Sequence, residues 1–229
     1  MKNNMLIPFL LLATMSAAGQ TTETIQVAAG GDIAAAVSPY GIYRLPAFTN
    51  GTVFFKDGKL AKEVLNYNIL NDQVMYIDKK GDTLAIAFPE ETKKIEIGSV
   101  VLYYDKKGYL ESIAAAPEAS LVIRRKVILH YEKQGAFGIS NSTNGIDSYT
   151  TFTSNNASYH LYAGENAVLK KSTAFFLLTN NSKLLPASRT NFLAQFTKNK
   201  QPIESHLANT KVNFNNLQDL ILLMHVSSN

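Results

Sequence analysis

The stretch SLVIRRKVILHYEK, residues 120–133, predicts one long β-strand because apolar side chains recur at every second position. Neighbouring side chains of a strand point to opposite faces of its sheet. One face carries an apolar row that Arg125 interrupts, and Arg124 belongs to the opposite face. The apolar members of the interrupted row are Leu121, Ile123, Val127 and Leu129. The strand is therefore expected to turn one guanidinium group toward the core of the protein.

Arg125 is the most unusual residue of this strand, because an unpaired charge in a protein core is strongly unfavourable. One interpretation is a core arginine that hydrogen-bonds to backbone carbonyls or to a carboxylate. The other is an arginine at the mouth of a barrel or groove, where a guanidinium group can bind an anion through two hydrogen bonds. Both interpretations stay open, and Arg125 is a candidate ligand-binding residue.

The sequence from Tyr43 up to this strand also alternates with period two. Three turns interrupt it, at residues 55–60, 76–81 and 104–108, and each combines an aromatic residue, an aspartate, lysine and a glycine, as hairpin connections do. The residues predicted to face the core are Leu65, Tyr67, Ile69, Leu84, Ile86, Phe88, Ile95 and Ile97, with Asn66 and Asn68 facing solvent. This pattern predicts consecutive antiparallel strands.

Near the C-terminus the apolar period changes to that of helices. Ser188 is placed to cap one helix, a second short helix is predicted after Pro202, and Asn215 is placed to cap a third. The apolar residues of the three helices are Phe192, Leu193 and Phe196; Ile203 and Leu207; and Leu217, Leu220, Ile221 and Met224. Each stripe must be buried against another element, so the helices are expected to dock on the sheet.

Together these patterns predict one α+β domain, residues 20–229, that is mainly antiparallel β. The strands form a meander sheet, a sandwich or a partly open barrel, and the sequence leaves these alternatives open. Two or three short helices form the C-terminal end, at about residues 187–226.

The first residues follow the order of segments in a secretory signal peptide. Lys2 supplies a positive charge, Met5–Ala13 a short apolar run, and Ser16–Gly19 the small residues of a cleavage site. We expect residues 1–19 to be a signal peptide and the protein to be secreted or periplasmic. No later segment is apolar over the roughly 20 residues that a membrane helix needs, and no cysteine is present for lipid attachment. The mature protein is thus expected to be soluble and not a lipoprotein.

Composition and spacing argue against several functional classes. The net charge is only +4, and the lysines occur singly or in pairs, without the dense basic stripe of a nucleic-acid-binding surface. The four histidines are too far apart for a helical metal-binding motif, and there is no cysteine to bind zinc. We therefore predict no cofactor, no metal site and no nucleic-acid partner.

A polar loop rich in glycine, serine and asparagine is predicted at residues 135–148. Gly138–Ser142 begins like a nucleophile elbow, but the closing glycine and the helix that should follow are missing. Polar loops carried by a rigid scaffold are frequent ligand-binding segments. The candidate ligand-binding residues in this loop are Ser140, Asn141, Ser142 and Asp147.

Four segments of the chain resemble a family of small uncharacterised exported proteins of Gram-negative bacteria. They are FKDGKLAKEVLNYNILNDQVMYIDKKGDTLAIA (55–87), YYDKKGYLESI (103–113), KQGAFGISNST (133–143) and KVNFNNLQDLILLMHV (211–226). That family has no assigned activity. The resemblance implies export and a single domain, and it brings no site residues.

The functional expectation is an envelope or extracellular protein that acts as a non-enzymatic binding or interaction module. Its partner would be another envelope protein or a small ligand. The alternative is a secreted hydrolase whose site is assembled from residues far apart in sequence; convergent serine, histidine and carboxylate groups in a cleft would favour it.

The signal peptide can be tested directly. Protein exported by the cell should begin at Gly19 or Gln20, because both preceding positions carry the small residues that signal peptidase requires. N-terminal sequencing of the exported material checks this, and a chain that still begins at Met1 would contradict it.

Overall fold

A computed structural model describes residues 20–134, 140–142 and 166–228. Within these residues the chain forms twelve strands and four α-helices. The strands are β1 (Gln20–Val27), β2 (Thr49–Phe55), β3 (Leu60–Asn68), β4 (Gln73–Ile77), β5 (Thr83–Ala85), β6 (Thr92–Ile97), β7 (Val100–Asp105), β8 (Gly108–Ala115), β9 (Ala119–Gln134), β10 (Ser140–Ser142), β11 (Ala167–Thr179) and β12 (Leu184–Pro186). The helices are α1 (Ile33–Val37), α2 (Arg189–Gln195), α3 (Lys200–Asn209) and α4 (Leu217–Ser228).

The strands form one open antiparallel sheet. Ten of them follow one another in the order β1-β11-β9-β8-β7-β6-β2-β3-β4-β5, while β10 pairs with β9 and β12 with β11. Two meanders, β2–β5 and β6–β9, are thus joined through the pairing of β2 with β6. The predicted fold class, mainly antiparallel β with short C-terminal helices, is confirmed.

The sheet curls strongly at its meander end. The ring of Tyr67 on β3 lies 5.7 Å from the ring of Tyr109 on β8, although β7, β6 and β2 separate the two strands along the sheet. Curling of this kind follows from the right-handed twist of strands that accumulates over a long sheet. Because of this curl, apolar side chains on one face of the meanders pack against one another.

The three predicted hairpin turns join β2 to β3, β4 to β5 and β7 to β8. In each turn the aspartate side chain accepts a hydrogen bond from the backbone N–H two residues further on, at Asp57, Asp78 and Asp105. Gly108 of the third turn has a φ of +118°, and a β-carbon at this position would collide with the carboxylate of Asp72. Only glycine therefore fits there.

Most of the apolar core of the described residues lies in two clusters on one face of the sheet. The strand cluster lies inside the curled end and contains Leu65, Tyr67, Ile95, Leu102, Leu129 and Leu169. The helix cluster lies under the C-terminal helices and contains Leu121, Ile123, Phe175, Phe192, Phe196 and Leu220. Strands β9 and β11 run through both clusters. Arg125 lies on β9 between them, on the same face, as the alternation predicts.

The three C-terminal helices are present as predicted, but two of them begin at residues other than those expected. Ser188 caps α2 as predicted, because its hydroxyl accepts a hydrogen bond from the backbone N–H of Asn191. The predicted cap of the last helix, Asn215, is wrong: the side chain of Asn216 accepts the backbone N–H groups of the first turn instead. Helix α3 begins at Lys200, before Pro202. None of the described helices is long and apolar enough to cross a membrane.

Two alternation patterns were interpreted wrongly. Asn66 and Asn68 are buried, at 1% and 4% exposure, because the chain before β2 runs along the end of β3 and covers them. The amide of Asn66 exchanges hydrogen bonds with the backbone of Leu45. Leu84 and Phe88, predicted to face the core, are 40% and 61% exposed: Leu84 lies on β5, a three-residue strand at the end of the sheet, and Phe88 lies beyond β5, outside any strand.

Helix α4 provides a test of the packing. Leu220 is fully buried in the helix cluster, so Leu220→Ala should lower the free energy of unfolding by about 2–5 kcal/mol through the cavity it leaves. Leu222 lies on the same helix and is 55% exposed, so Leu222→Ala should change it by less than about 0.5 kcal/mol. Urea denaturation of both variants measures the difference, and equal midpoints would contradict docking of α4 on the sheet.

Candidate functional site

The gap between the two apolar clusters is occupied by a buried carboxylate held between two arginines. Glu111 on β8 is only 5% exposed. Arg44, from the segment between α1 and β2, donates two hydrogen bonds to it, Nε to Oε2 at 3.0 Å and Nη2 to Oε1 at 2.9 Å. Arg125 donates a further hydrogen bond from Nη1 to Oε2. We call these three residues the Arg44–Glu111–Arg125 triad.

The environment of Glu111 sets its protonation state. Burial alone would raise the pKa of this carboxyl, but the hydrogen bonds and positive charges of Arg44 and Arg125 outweigh burial and hold the pKa below its ordinary value. Glu111 is therefore ionised at neutral pH. It serves as a counter-ion for the two guanidinium groups and is unsuited to act as a general acid.

Secondary structure fixes all three residues of the triad. Glu111 is paired with Ile123 of β9 on one side and Leu102 of β7 on the other, and both neighbours are buried apolar residues. Arg44 is held because its backbone N–H donates a 2.8 Å hydrogen bond to the carbonyl of Tyr67. The charged groups are thus positioned by the sheet and its flanking segment, with little side-chain freedom left to the carboxylate.

A cleft of about 520 Å³ opens above Arg44 and Arg125. One wall is formed by side chains of three neighbouring strands that lie in two rows across the sheet. The first row is Thr21, Thr173 and Arg125, and the second is Glu23, Lys171 and Val127. The other wall is the end of α1 and the turn that follows it, with Val37, Ser38, Pro39 and Tyr40, and it also includes Ile69, which follows β3.

Positive charge exceeds negative charge at this cleft. Among the described residues, the cations that line it or lie beneath it are Arg44, Arg125, Lys126 and Lys171, and the anions are Glu23 and Glu111. One carboxylate in the triad neutralises one of two guanidinium groups. The arginines are 32% and 25% exposed, so both reach the cleft while bonded to Glu111. Such a floor attracts anions.

The turn in the second wall is held by its own hydrogen bonds. The single proton of the Ser38 hydroxyl is shared between the carbonyls of Gly41 and Tyr43, and the hydroxyl oxygen accepts a hydrogen bond from the backbone N–H of Tyr40. Gly41 has a φ of +72°, a value that glycine adopts without strain. The wall is therefore built before any ligand arrives.

A second polar network lies deeper in the curled end. Asp72 accepts hydrogen bonds from the hydroxyl of Tyr67, at 2.7 Å, and from the backbone N–H of Tyr109. Burial raises the pKa of Asp72 despite these bonds, and burial also raises the pKa of Tyr109 well above its ordinary value. This network closes the core beside Gly108 and does not line the cleft.

The other predicted site residues are placed differently. Ser140, Asn141 and Ser142 form β10, whose backbone pairs with the end of β9, and Asp147 lies outside the described residues. Arg124 points to the opposite face of the sheet, where its Nη2 lies 2.5 Å from a carboxylate oxygen of Asp105. Among the candidates whose side chains the structure describes, Arg125 lines the cleft.

Sequence reasoning missed Arg44 and Glu111. Glu111 lies in the run GYLESI, where it interrupts an apolar alternation just as Arg125 interrupts its own strand. Two opposite charges at core positions of consecutive strands are a signal that could have paired them. Arg44 gives no such signal, because its contact with Glu111 depends on the curl of the sheet.

No group of three or more histidine, cysteine, aspartate or glutamate side chains among the described residues could hold a metal ion. In comparisons with protein-family models, curated proteins and solved structures, nothing matched the chain. The hydrolase alternative and the resemblance to exported proteins both stay predictions.

The triad predicts how stability depends on pH. A carboxylate whose pKa is lowered on folding stabilises the protein above its unfolded pKa of about 4.3, and this contribution is lost as the pH falls through the folded pKa. Glu111→Gln should lower the free energy of unfolding at pH 7 by about 1–3 kcal/mol, because two arginines lose their counter-ion. The deficit should shrink toward about pH 3.

Urea denaturation between about pH 7 and pH 3 measures this effect. Glu204→Gln is the matched control, since Glu204 is a half-exposed carboxylate that lies 3.9 Å from Lys200 on the surface of α3. The control should follow the wild-type pH dependence. A constant deficit of Glu111→Gln at every pH would show that the triad carboxylate does not titrate as described.

Proposed function

We propose that this protein is an exported, non-enzymatic binding module that holds a small anionic ligand in the cleft above the Arg44–Glu111–Arg125 triad. The observation that carries the proposal is the surplus of guanidinium over carboxylate at the cleft floor. A neutral pair of one arginine and Glu111 would satisfy the buried carboxylate. The second guanidinium group leaves a positive charge at the bottom of a preformed cavity.

The groups around this charge suit an anion. Arginine presents a planar fork of N–H donors that matches carboxylate and phosphate oxygens. Lys171 adds a cation one row away on β11, and Thr21 and Thr173 add hydroxyl groups in the row of Arg125. The cleft volume of about 520 Å³ falls within the range of small-molecule sites. Export is supported by the signal-peptide pattern of residues 1–19.

Binding of simple anions tests the proposal. Isothermal titration calorimetry at low ionic strength with inorganic phosphate, pyrophosphate and citrate should show saturable binding of at least one of them. Added salt should weaken it, because the cleft is open to solvent and charges are screened. No binding of any of the three anions would overturn the proposed function.

Variants of neighbouring lysines locate the site. Lys171→Gln should weaken anion binding by about 3- to 30-fold, the loss of one charge interaction of roughly 0.6–2 kcal/mol. Lys170→Gln is the matched control, since Lys170 precedes it on β11 but is exposed on the opposite face. Both variants leave the triad intact and should unfold at the wild-type denaturant concentration. Equal affinities for the two variants would place the anion elsewhere.

A further inference from the structure

The two walls of the cleft differ in chemistry. The strand wall carries Arg125, Lys171, Glu23 and the threonine hydroxyl groups, whereas the opposite wall carries the side chains of Val37 and Tyr40, together with Ile69, which follows β3. Val37 and Ile69 are buried members of the strand cluster whose surfaces reach the cleft. A ligand that filled the cleft would meet cations on one side and apolar surface on the other.

Tyr40 is the exposed member of the turn wall. Its side chain is 49% exposed, although hydrogen bonds hold the backbone on both sides of it. Its N–H is bonded to Ser38, and the next residue, Gly41, closes the turn through its own N–H. The fold thus holds the Tyr40 backbone firmly while leaving its ring accessible.

Tyr40 also lies next to the charged floor. Tyr40, Arg44 and Arg125 all line the same cleft. The aromatic ring and the guanidinium groups therefore belong to one continuous surface. Aromatic side chains with fixed backbones bind flat apolar groups at little cost in conformational entropy.

We propose that the ligand is an anion carried on an aromatic or similarly flat apolar ring, with its phosphate or carboxylate group at Arg125 and Lys171 and its ring against Tyr40. The inference rests on the proposed anion-binding function. The cleft volume supports it, because a lone phosphate or carboxylate group would leave most of about 520 Å³ unfilled. The apolar wall opposite the cations supplies the place for the rest of the molecule.

A pair of probes separates the ring from the charge. Phenyl phosphate and inorganic phosphate carry the same anionic group, and calorimetry should show that phenyl phosphate binds at least 10-fold more tightly to the wild-type protein. Tyr40→Ala should bring the ratio of the two affinities close to one, and Tyr40→Phe should keep the wild-type ratio. Phe88→Ala is the control, because Phe88 is an exposed aromatic residue outside the cleft and its loss should alter neither affinity.

The outcomes distinguish this inference from the proposed function. If both phosphates bind with the same affinity, the ring adds nothing and the inference is overturned while anion binding stands. If phenyl phosphate binds more tightly but Tyr40→Ala leaves the ratio unchanged, the ring lies elsewhere and the inference also fails. If none of the four anions binds (the two phosphates, pyrophosphate and citrate), both the proposed function and this inference fail. A ratio that falls only in Tyr40→Ala supports the inference.

Discussion

The carboxylate of Glu111 is the one group on which the arrangement of this protein depends. It lies on a strand between buried apolar residues, and a charge in such a place must be paired. It is paired twice, by arginines 67 and 14 residues away in the sequence. The triad consequently ties three parts of the chain together: the segment before β2, strand β8 and strand β9. Any account of the cleft begins with this pairing.

The triad also explains why the protein has two apolar clusters on a single sheet face. Strands β9 and β11 are long enough to cross the whole face, and their apolar rows would form one continuous core. Arg125 on β9, with Lys171 and Thr173 on β11, interrupts those rows. The helices cover one side of the interruption and the curled meanders cover the other. The uncovered middle is the cleft.

Much of the fold could be predicted from the sequence because it depends on local patterns. The apolar alternation and the three turns that contain Asp and Gly predict the strands on either side of each turn. The N-cap at Ser188 predicts the start of α2. The errors arose where a distant segment changes the environment of a strand. Asn66 was expected in solvent, but the chain around Leu45 covers it and bonds to its amide. Local periodicity carries no information about such a cover.

The candidate site was predictable only in part for the same reason. Arg125 stood out because it breaks an apolar row, and its two interpretations, a core arginine paired to a carboxylate and an arginine at a groove, turned out to be compatible. Arg125 is paired with Glu111 and also lines the cleft. The partner Arg44 could not be found, since only the three-dimensional course of the chain brings it to Glu111.

The charges of the triad are not explained by stability alone. Replacing a buried ion triad by well-packed apolar side chains is often neutral or stabilising, because ions lose hydration when they are buried. A single arginine would be enough to neutralise Glu111, and among the described residues no second carboxylate forms an ion pair with Arg44 or Arg125 to offset the desolvation cost of the other guanidinium group. That cost is smallest where the guanidinium groups remain partly hydrated, and both arginines are exposed at the cleft. An anion arriving there would supply the missing negative charge. The anion would balance the second guanidinium group, which carries excess positive charge in the free protein. Ligand binding should therefore raise the free energy of unfolding.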